Sequence, residues 1–249
     1  EFIHLNRVDS TNSYLKKLPG EELSHGTVVH TDHQTGGRGQ YTKLWHSGAY
    51  KNLTFTIAFR PHRADRLPLL TLACADAVSL VLDDVSRAPV QMKWPNDLII
   101  KERKVGGILT ECVFLGNRPD RILVGIGLNI YQDGYDGVQL ESAICVDEVS
   151  KKDAAIRREK ILSDSLISIE KAYTRWYEED PDLHKEISKR LIGYGKWVNI
   201  AIDGVTENES FKFLGVNKEG EPIALNEELD VNTFKHGQVR ILTGSESIS

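Results

Sequence analysis

The segment formed by residues 93–109 constrains the fold most strongly, because it mixes strand-forming runs with residues that interrupt strands. Three apolar runs are separated first by Pro95-Asn96-Asp97 and then by the basic stretch 101–104, and the third run contains Gly106-Gly107. Proline fixes one backbone angle and removes a hydrogen-bond donor. Glycines within a strand let another group approach the backbone closely. With Lys93 at its start, the segment indicates a site for a small anionic ligand.

Length and charge limit the classes of protein that fit this chain. A chain of 249 residues is long enough for one large domain, or for one domain and a small one. A net charge of −5 at pH 7 argues against a nucleic-acid-binding body, which usually carries excess positive charge. No apolar run reaches membrane-spanning length, and the first residues do not resemble a signal peptide. We therefore expect a cytoplasmic protein whose partners include neither nucleic acid nor membrane.

The cysteines are predicted to be structural. Cys74, Cys112 and Cys145 each lie in an apolar context, without the close pairing that zinc or redox motifs need. This pattern is typical of buried, reduced thiols.

A helix is predicted to begin near Asp9-Ser10-Thr11-Asn12 and to end at Pro19-Gly20. Aspartate, serine and threonine directly before an apolar-periodic run are typical N-caps. The same hydroxyl and amide groups could instead hold a polar ligand at the helix start. From these residues alone we favour capping and keep ligand binding as the alternative.

The connection at residues 34–51 has an unusual composition. It carries four glycines and four basic residues, counting His46, between strands predicted at 27–33 and 53–59. Loops of this length are uncommon in compact domains and are usually functional. Glycines on both sides of Arg38 would let the backbone wrap while the guanidinium points at an anion. The alternative is an exposed loop without a ligand.

The rest of the first 194 residues alternates between strand and helix patterns. Apolar residues at helical spacing predict helices at 66–85, 151–179 and 181–193. Strands are predicted at 2–6, 90–94, 97–100, 105–114 and 122–130, with turns at 101–104 and 116–120 and a polar loop at 132–137. Gly125 and Gly127 share one face of their strand, which leaves room for a ligand or for a packed helix.

The pattern of apolar residues changes near residue 195. Short alternating runs at 197–202, 211–216, 222–225 and 239–242 are separated by glycine-containing turns, which predicts a small all-β barrel. We therefore predict two domains, residues 1–194 and residues 195–249.

Five motifs, taken in chain order, carry a family resemblance. They are Asp9-Ser10-Thr11-Asn12; Gln34 with Gly37-Arg38-Gly39 and Trp45; Lys93-Trp94-Pro95-Asn96-Asp97; Arg103-Lys104-Val105-Gly106-Gly107-Ile108-Leu109; and Gly125-Ile126-Gly127-Leu128-Asn129. Over essentially the whole chain, their order and spacing are similar to those of the biotin protein ligases. The resemblance implies an α+β fold: a mixed β-sheet packed with helices, of the class II aminoacyl-tRNA-synthetase/biotin ligase type, and then a small SH3-like barrel with Phe234-Lys235 near its last strand.

The resemblance also implies a two-step reaction. The biotin carboxylate attacks the α-phosphate of ATP, carried as its Mg²⁺ complex, to give biotinyl-5′-AMP and pyrophosphate. The ε-amine of a lysine on a biotin carboxyl carrier domain of a carboxylase then attacks this anhydride and releases AMP. A homodimer through an exposed sheet edge is compatible with the resemblance. With no DNA-binding segment ahead of the catalytic motifs, we expect no repressor role.

Site residues are carried over from the motifs. Lys104 and Arg38 are the implied catalytic residues, because two anions that are forced together need fixed cationic donors. The implied biotin-binding residues are Ser10, Thr11, Asn12, Gln34, Gly37, Arg38, Gly39, Gln40, Lys104, Gly107 and Gly127. The implied ATP- and adenylate-binding residues are Arg38, Trp45, Asn96, Asp97, Lys104 and Asn129. No residue is assigned as a direct metal ligand. Trp94 is expected in the core, and Trp45 in the core or against the ligand.

The chain departs from the common family pattern in the Arg38 loop. Gln40 removes a cation and Thr42 replaces a glycine, and we expect both changes to loosen retention of the adenylate. Two alternatives to a biotin ligase stay open from the sequence. One is a lipoate–protein ligase of the related fold, and the other is a non-catalytic binding module for biotin or a peptide.

Overall fold

The fold is built on one large mixed sheet. The computed structural model describes residues 1–40, 43–61, 63–131, 143–152, 156–235 and 237–242. The first nine strands are β1 (Phe2–Leu5), β2 (Thr27–Thr31), β3 (Gly37–Arg38), β4 (Leu44–Trp45), β5 (Asn52–Phe59), β6 (Gln91–Lys93), β7 (Asp97–Ile100), β8 (Arg103–Leu115) and β9 (Arg118–Asn129). Seven of them form the sheet, in the order β1-β2-β5-β9-β8-β7-β6, and β3 and β4 form a separate ribbon. Only the β1–β2 pair of the large sheet is parallel.

Helices cover both faces of this sheet. They are α1 (Thr11–Lys17), α2 (Leu67–Val85), α3 (Arg158–Tyr177) and α4 (Leu183–Arg190). Successive residues of each strand point to opposite faces. Phe55 of β5 and Ile126 of β9 therefore belong to the main core with α2 and α3, whereas Ala58 and Leu123 pack with Leu15 of α1. Because both faces are covered, β5 is buried along its whole length.

A second, antiparallel sheet forms the C-terminal part. Its strands are β10 (Trp197–Ile202), β11 (Val205–Thr206), β12 (Phe211–Val216), β13 (Pro222–Leu225), β14 (Val231–Thr233) and β15 (Val239–Leu242). Their order is β11-β10-β12-β13-β14, and β15 also pairs with β10, so the sheet curls. The indole N–H of Trp94 donates to the carbonyl of Gly220 at 3.2 Å and links the two sheets. The predicted α+β class is confirmed; the division at residues 194/195 stays a prediction.

Several predicted boundaries were wrong. The turn expected at 101–104 consists of Lys101 and Glu102, both with positive φ, so Lys104 lies within β8. The turn expected at 116–120 is confined to its first two residues, because β9 already begins at Arg118. The long helix begins at Arg158 rather than at 151, because the backbone of Arg157 is extended. The loop predicted at 132–137 lies outside the described residues.

The helices of the described ranges include none that combines the length and apolar character needed to cross a bilayer.

Candidate active site

One cavity of about 720 Å³ gathers most of the residues that the motifs single out. This volume is within the usual range for ligand pockets. The large sheet forms its floor, the start of α1 and the β3–β4 ribbon form two sides, and the C-terminal sheet contributes a third. Predicted site residues on its lining are Ser10, Thr11, Asn12, Gln34, Arg38, Gly39, Gln40, Trp45, Asn96, Asp97, Lys104, Gly107 and Gly127.

The floor of the cavity is a cross-strand row with little side-chain bulk. Thr54 of β5 pairs with Gly127 of β9, which pairs with Gly107 of β8, which pairs with Asp97 of β7. Directly opposed residues of neighbouring strands share a face. Two adjacent glycines in this row leave a bare patch of backbone between a hydroxyl at one end and a carboxylate at the other.

The two glycines differ in what lies above them. A Cβ on Gly127 would come within 2.6 Å of the Trp45 indole, whereas a Cβ on Gly107 would meet its nearest neighbour, Lys104, at 3.4 Å. Gly125 lies two residues before Gly127 in β9, on the same face, and Asn12 of α1 packs against it. A Cβ on Gly125 would lie 2.2 Å from Asn12 Oδ1. Of the two possibilities left open for Gly125 and Gly127, a packed helix therefore accounts for Gly125, and Gly127 lies under the ribbon.

The start of α1 is tied into a buried polar network. Gln34 Oε1 accepts hydrogen bonds from the backbone N–H of Thr11 at 3.0 Å and from its hydroxyl at 3.3 Å. The Thr56 hydroxyl lies 2.7 Å from that of Thr11 and donates to Asn12 Oδ1 at 2.6 Å. Thr11 and Gln34 belong to two different motifs and are 23 residues apart in the sequence. The network holds both side chains against β5 through Thr56.

Ser10 has the predicted capping role. Its hydroxyl accepts a hydrogen bond from the backbone N–H of Ser13. The preceding carboxylate, Asp9, accepts one from the backbone N–H of Ser10, and this contact, together with nearby Lys17, lowers the pKa of Asp9. Ser10 nevertheless lines the cavity as well, so capping and contact with a ligand are compatible at this residue.

Lys104 is held at the edge of the bare patch. Its ammonium group forms an ion pair with Asp97 at 2.5 Å and lies 5.9 Å from the centre of the Trp45 ring. A register shift in the β7–β8 pair leaves Val105 without a partner. An extra residue of this kind re-aims its neighbours, so Lys104 and Gly107 face the same cavity although they are three residues apart.

Arg38 reaches the cavity from the ribbon. Its guanidinium donates to Glu111 Oε2 and to the Ser13 hydroxyl, at 3.2 Å in each case. Glu111 also accepts from Asn12 Nδ2 at 2.9 Å. One carboxylate therefore joins the α1 network to the cation of the loop. A guanidinium carries five N–H donors, so these two contacts leave donors that can meet an anion.

Two buried polar atoms at the cavity lack partners among the described residues. They are the Thr54 hydroxyl and the indole Nε1 of Trp45. Burying such a group without a hydrogen bond costs free energy. A bound molecule with an acceptor for the indole N–H and a complementary group for the hydroxyl would satisfy both.

Two of the predicted site residues do not line the cavity. Gly37 is part of β3 in the ribbon, and a Cβ there would lie 2.5 Å from Gln34 Nε2. Asn129 is buried, accepts from Asn52 at 3.1 Å and donates to the backbone carbonyl of Lys104 at 3.3 Å. Asn96 does line the cavity, and its side chain also donates to the backbone carbonyl of Ile108 at 2.8 Å. Their roles toward ATP and biotin stay predictions.

Sequence reasoning missed several residues at this site. Thr54, Thr56 and Glu111 lie on the cavity face of β5 and β8, and Thr206 and Arg240 reach it from the C-terminal sheet. Strand alternation could have identified the first three, because each is separated by an even number of residues from a partner on that face. No signal in the sequence places the C-terminal residues at this cavity.

A protein-family model for the biotin/lipoate A/B protein ligase family matches residues 4–129. This range covers the large sheet up to the end of β9, and therefore includes all five motifs.

Individual relatives extend the similarity beyond that range. The chain is 28% identical over 223 residues to the bifunctional ligase/repressor BirA of Bacillus spizizenii, covering 88% of this chain and 67% of the relative. It is 28% identical over 206 residues to a biotin–[acetyl-CoA-carboxylase] ligase of Mycobacterium tuberculosis, covering 78% and 72%. A solved structure of an Aquifex aeolicus biotin protein ligase in complex with biotin and ATP superposes with a TM-score of 0.82 at 26% identity, covering 98% and 99%.

Proposed function

This chain belongs to the biotin/lipoate A/B protein ligase family, and we propose that its cavity activates biotin with ATP and transfers it to a protein lysine. In the first step a biotin carboxylate oxygen forms a bond to the α-phosphorus of ATP, and pyrophosphate leaves. In the second step a lysine ε-amine attacks the activated carbonyl, an amide forms, one proton is released and AMP leaves. Biotin and MgATP are therefore the substrates.

The start of α1 suits the polar head of biotin. The ureido ring offers two N–H donors and one carbonyl acceptor. Complementary groups come from Thr11 and Gln34 on the side of the cavity and from the Thr54 hydroxyl on its floor, which has no partner among the described residues. The apolar ring and acyl chain then lie along the bare backbone of Gly107 and beside the Trp45 indole that covers Gly127.

Two of the cations that line the cavity are placed to meet the reacting anions. The approach of a carboxylate to a phosphate is opposed by like charge, and fixed donors that meet the developing charge lower that barrier. Lys104 stands beside the glycine patch that receives the acyl chain, and Arg38 stands across the cavity on the ribbon. Asp97 holds the ammonium group until a ligand carboxylate competes for it.

The β3–β4 ribbon covers the reaction. Residues 36–50 contain the ribbon, and Trp45 lies directly over Gly127. Shielding the mixed anhydride from water prevents its hydrolysis before the acceptor arrives. Gln40 lines the cavity at the position where the loop loses a cation, so we expect weaker retention of the adenylate.

The single observation that carries this proposal is the convergence of five separated motifs on one cavity. Local sequence alone assigns Ser10 to capping and Lys104 to a turn. In the folded chain both line the same space as Arg38, Gly107 and Asp97. An ordinary packed core has no need of cationic, amide and hydroxyl groups around a bare glycine floor.

The acceptor and the cellular setting complete the proposal. The acceptor is the biotin carboxyl carrier domain of a biotin-dependent carboxylase, and no nucleic acid takes part. The three free cysteines suit a reducing compartment, and we place the protein in the cytoplasm. A homodimer would pair through the outer edge of β1, and light scattering on the purified chain tests it.

The proposal is tested by incubating the chain with biotin, MgATP and a purified carboxyl carrier domain. We expect biotinyl-5′-AMP without the acceptor, and a biotin–lysine amide with it, both detected by mass spectrometry. Failure to form either product contradicts the proposal. Labelling by lipoate in preference to biotin, in a competition between the two acids, would instead assign the chain to lipoate transfer.

A further inference from the structure

A second cluster of functional side chains lies away from the active-site cavity, at the edge of the large sheet. His4 of β1 and His30 of β2 are paired in register on parallel strands, and Asp32 follows His30 by two residues. The two rings are stacked with centroids 5.4 Å apart. The strand geometry alone therefore gathers two imidazoles and a carboxylate on one face.

Their donor atoms converge. One ring nitrogen from each histidine and one carboxylate oxygen of Asp32 lie within 4.8 Å of one another. His4 Nε2 is 2.8 Å from Asp32 Oδ2. Among the residues that the structure describes, His4, His30 and Asp32 form a group of three histidine or carboxylate side chains with converging donor atoms.

His30 has a polar atom that the described residues leave unsatisfied. Its Nε2 is buried and has no hydrogen-bond partner there. The ring packs against His4 on one side and Phe2 on the other, which are ring contacts and not hydrogen bonds. A buried ring nitrogen without a partner costs free energy that a bound cation would recover.

The three donor atoms are already close to the spacing that a metal ion requires. Zinc with ligand distances of about 2.0–2.2 Å places tetrahedral donors roughly 3.4 Å apart. The His4 side chain is 46% exposed on an edge strand, whereas that of Asp32 is 12% exposed and fixed by a second contact. The His4–Asp32 contact at 2.8 Å is shorter than this spacing, and rotation of the exposed His4 ring can lengthen it without disturbing the core.

Neighbouring charges both oppose and assist a cation. Arg158 donates to Asp32 Oδ1 at 3.3 Å, and this contact leaves Oδ2 for a metal. Glu159, the next residue, also acts electrostatically on His30 with the opposite sign to Arg158. The positive and negative neighbours offset each other, and the carboxylate of Asp32 adds a net negative charge.

We propose that His4, His30 and Asp32 form a binding site for one divalent transition-metal ion of the zinc class. Two imidazoles and one carboxylate form a donor set that suits zinc, cobalt or nickel better than magnesium or calcium. Solvent completes the coordination on the exposed side. The backbone carbonyl of Asp32 accepts from Tyr50 N–H at 2.9 Å, so the metal braces β1 and β2 beside the end of the loop that covers the active site.

The test is an isothermal calorimetric titration of the 249-residue chain with zinc chloride in ATP-free buffer. We expect one equivalent to bind, and a rise of Tm on zinc addition. His4→Gln and His30→Gln each weaken binding at least about tenfold. His184→Gln, on α4, is the matched control and binds as the unmodified chain does. Cobalt chloride added to the same variants supplies a visible spectrum that reports imidazole coordination.

Because His4 is half exposed, His4→Gln retains the fold, and circular dichroism checks that it does. Saturable zinc binding that is lost in His4→Gln and kept in His184→Gln establishes the site. Absence of saturable binding, or equal binding by His4→Gln and the unmodified chain, overturns the proposal. This outcome is independent of biotin transfer, because the readouts require neither biotin nor ATP.

Discussion

Gly107 and Gly127 lie directly opposite each other on neighbouring antiparallel strands and form the floor of the cavity. Glycine inside a strand weakens it, because no side chain packs there. The Trp45 indole fills the space above Gly127, whereas the space above Gly107 belongs to the cavity, where we propose that the acyl chain of biotin lies. Substitutions at these two glycines therefore test where biotin lies.

Alanine at these two positions should have unequal effects. A Cβ on Gly127 would lie 2.6 Å from the Trp45 indole, whereas one on Gly107 has its nearest neighbour at 3.4 Å. We expect Gly127→Ala to lower biotin affinity about tenfold, equivalent to roughly 1.4 kcal/mol, and Gly107→Ala to lower it less. Calorimetric titration with biotin measures both, with guanidinium unfolding as the check on stability. A larger loss in Gly107→Ala would contradict the assigned position of Trp45.

Glu111 should matter although it was not predicted from the sequence. It holds Arg38 at 3.2 Å and Asn12 at 2.9 Å, and glutamine keeps its shape while removing its charge. The Arg38 side chain is 43% exposed, so solvent screens its ion pair with Glu111. Removing this ion pair should therefore cost at most roughly 1 kcal/mol of interaction free energy. We expect Glu111→Gln to release biotinyl-AMP about fivefold faster, measured by rapid filtration. Glu170→Gln, on the exposed face of α3, is the control; equal rates in both variants would remove Glu111 from this role.

The cysteines should be inert in the folded protein. Burial raises the pKa of Cys74 to about 12 and also raises the pKa of Cys112 above its usual value. Both thiols are therefore ionised less than a free cysteine at the same pH, and the thiolate that reacts with iodoacetamide is scarce. We expect slow labelling that becomes faster as pH rises, with half-exposed Cys112 modified before Cys74. Cys112→Ser should remove the faster phase. Labelling of Cys74 at the same rate in folded and guanidinium-unfolded protein would contradict this account.

Much of the architecture followed from local sequence. Ser10 caps α1 as its chemistry predicts, and the four long strands of the C-terminal sheet have the predicted limits. In both cases the signal is local: a capping hydroxyl before a periodic run, or alternation between glycine turns. The two-residue strand β11 and the three-residue strand β14 were missed, because they are too short to show a period.

The site itself was harder to predict, because its geometry comes from register. The unpaired Val105 that brings Lys104 to the cavity is a property of strand pairing and not of composition. Local sequence therefore assigned Lys104 to a turn. Likewise, Glu111 meets Arg38 across 73 residues of chain, a contact that no local pattern encodes. Only the family resemblance pointed to Lys104 and Arg38 as parts of one site, and it did not include Glu111.

The central proposal is that Lys104 promotes formation of the bond between the biotin carboxylate and the α-phosphate of ATP. Biotinyl-5′-AMP formed in a single turnover from biotin and MgATP, without an acceptor, measures it most directly. We expect Lys104→Ala to slow this step by about 100-fold or more while biotin binding is partly retained. Lys189→Ala, an exposed lysine of α4, should react as the unmodified chain does. Adenylate formation at an unchanged rate in Lys104→Ala would contradict the account.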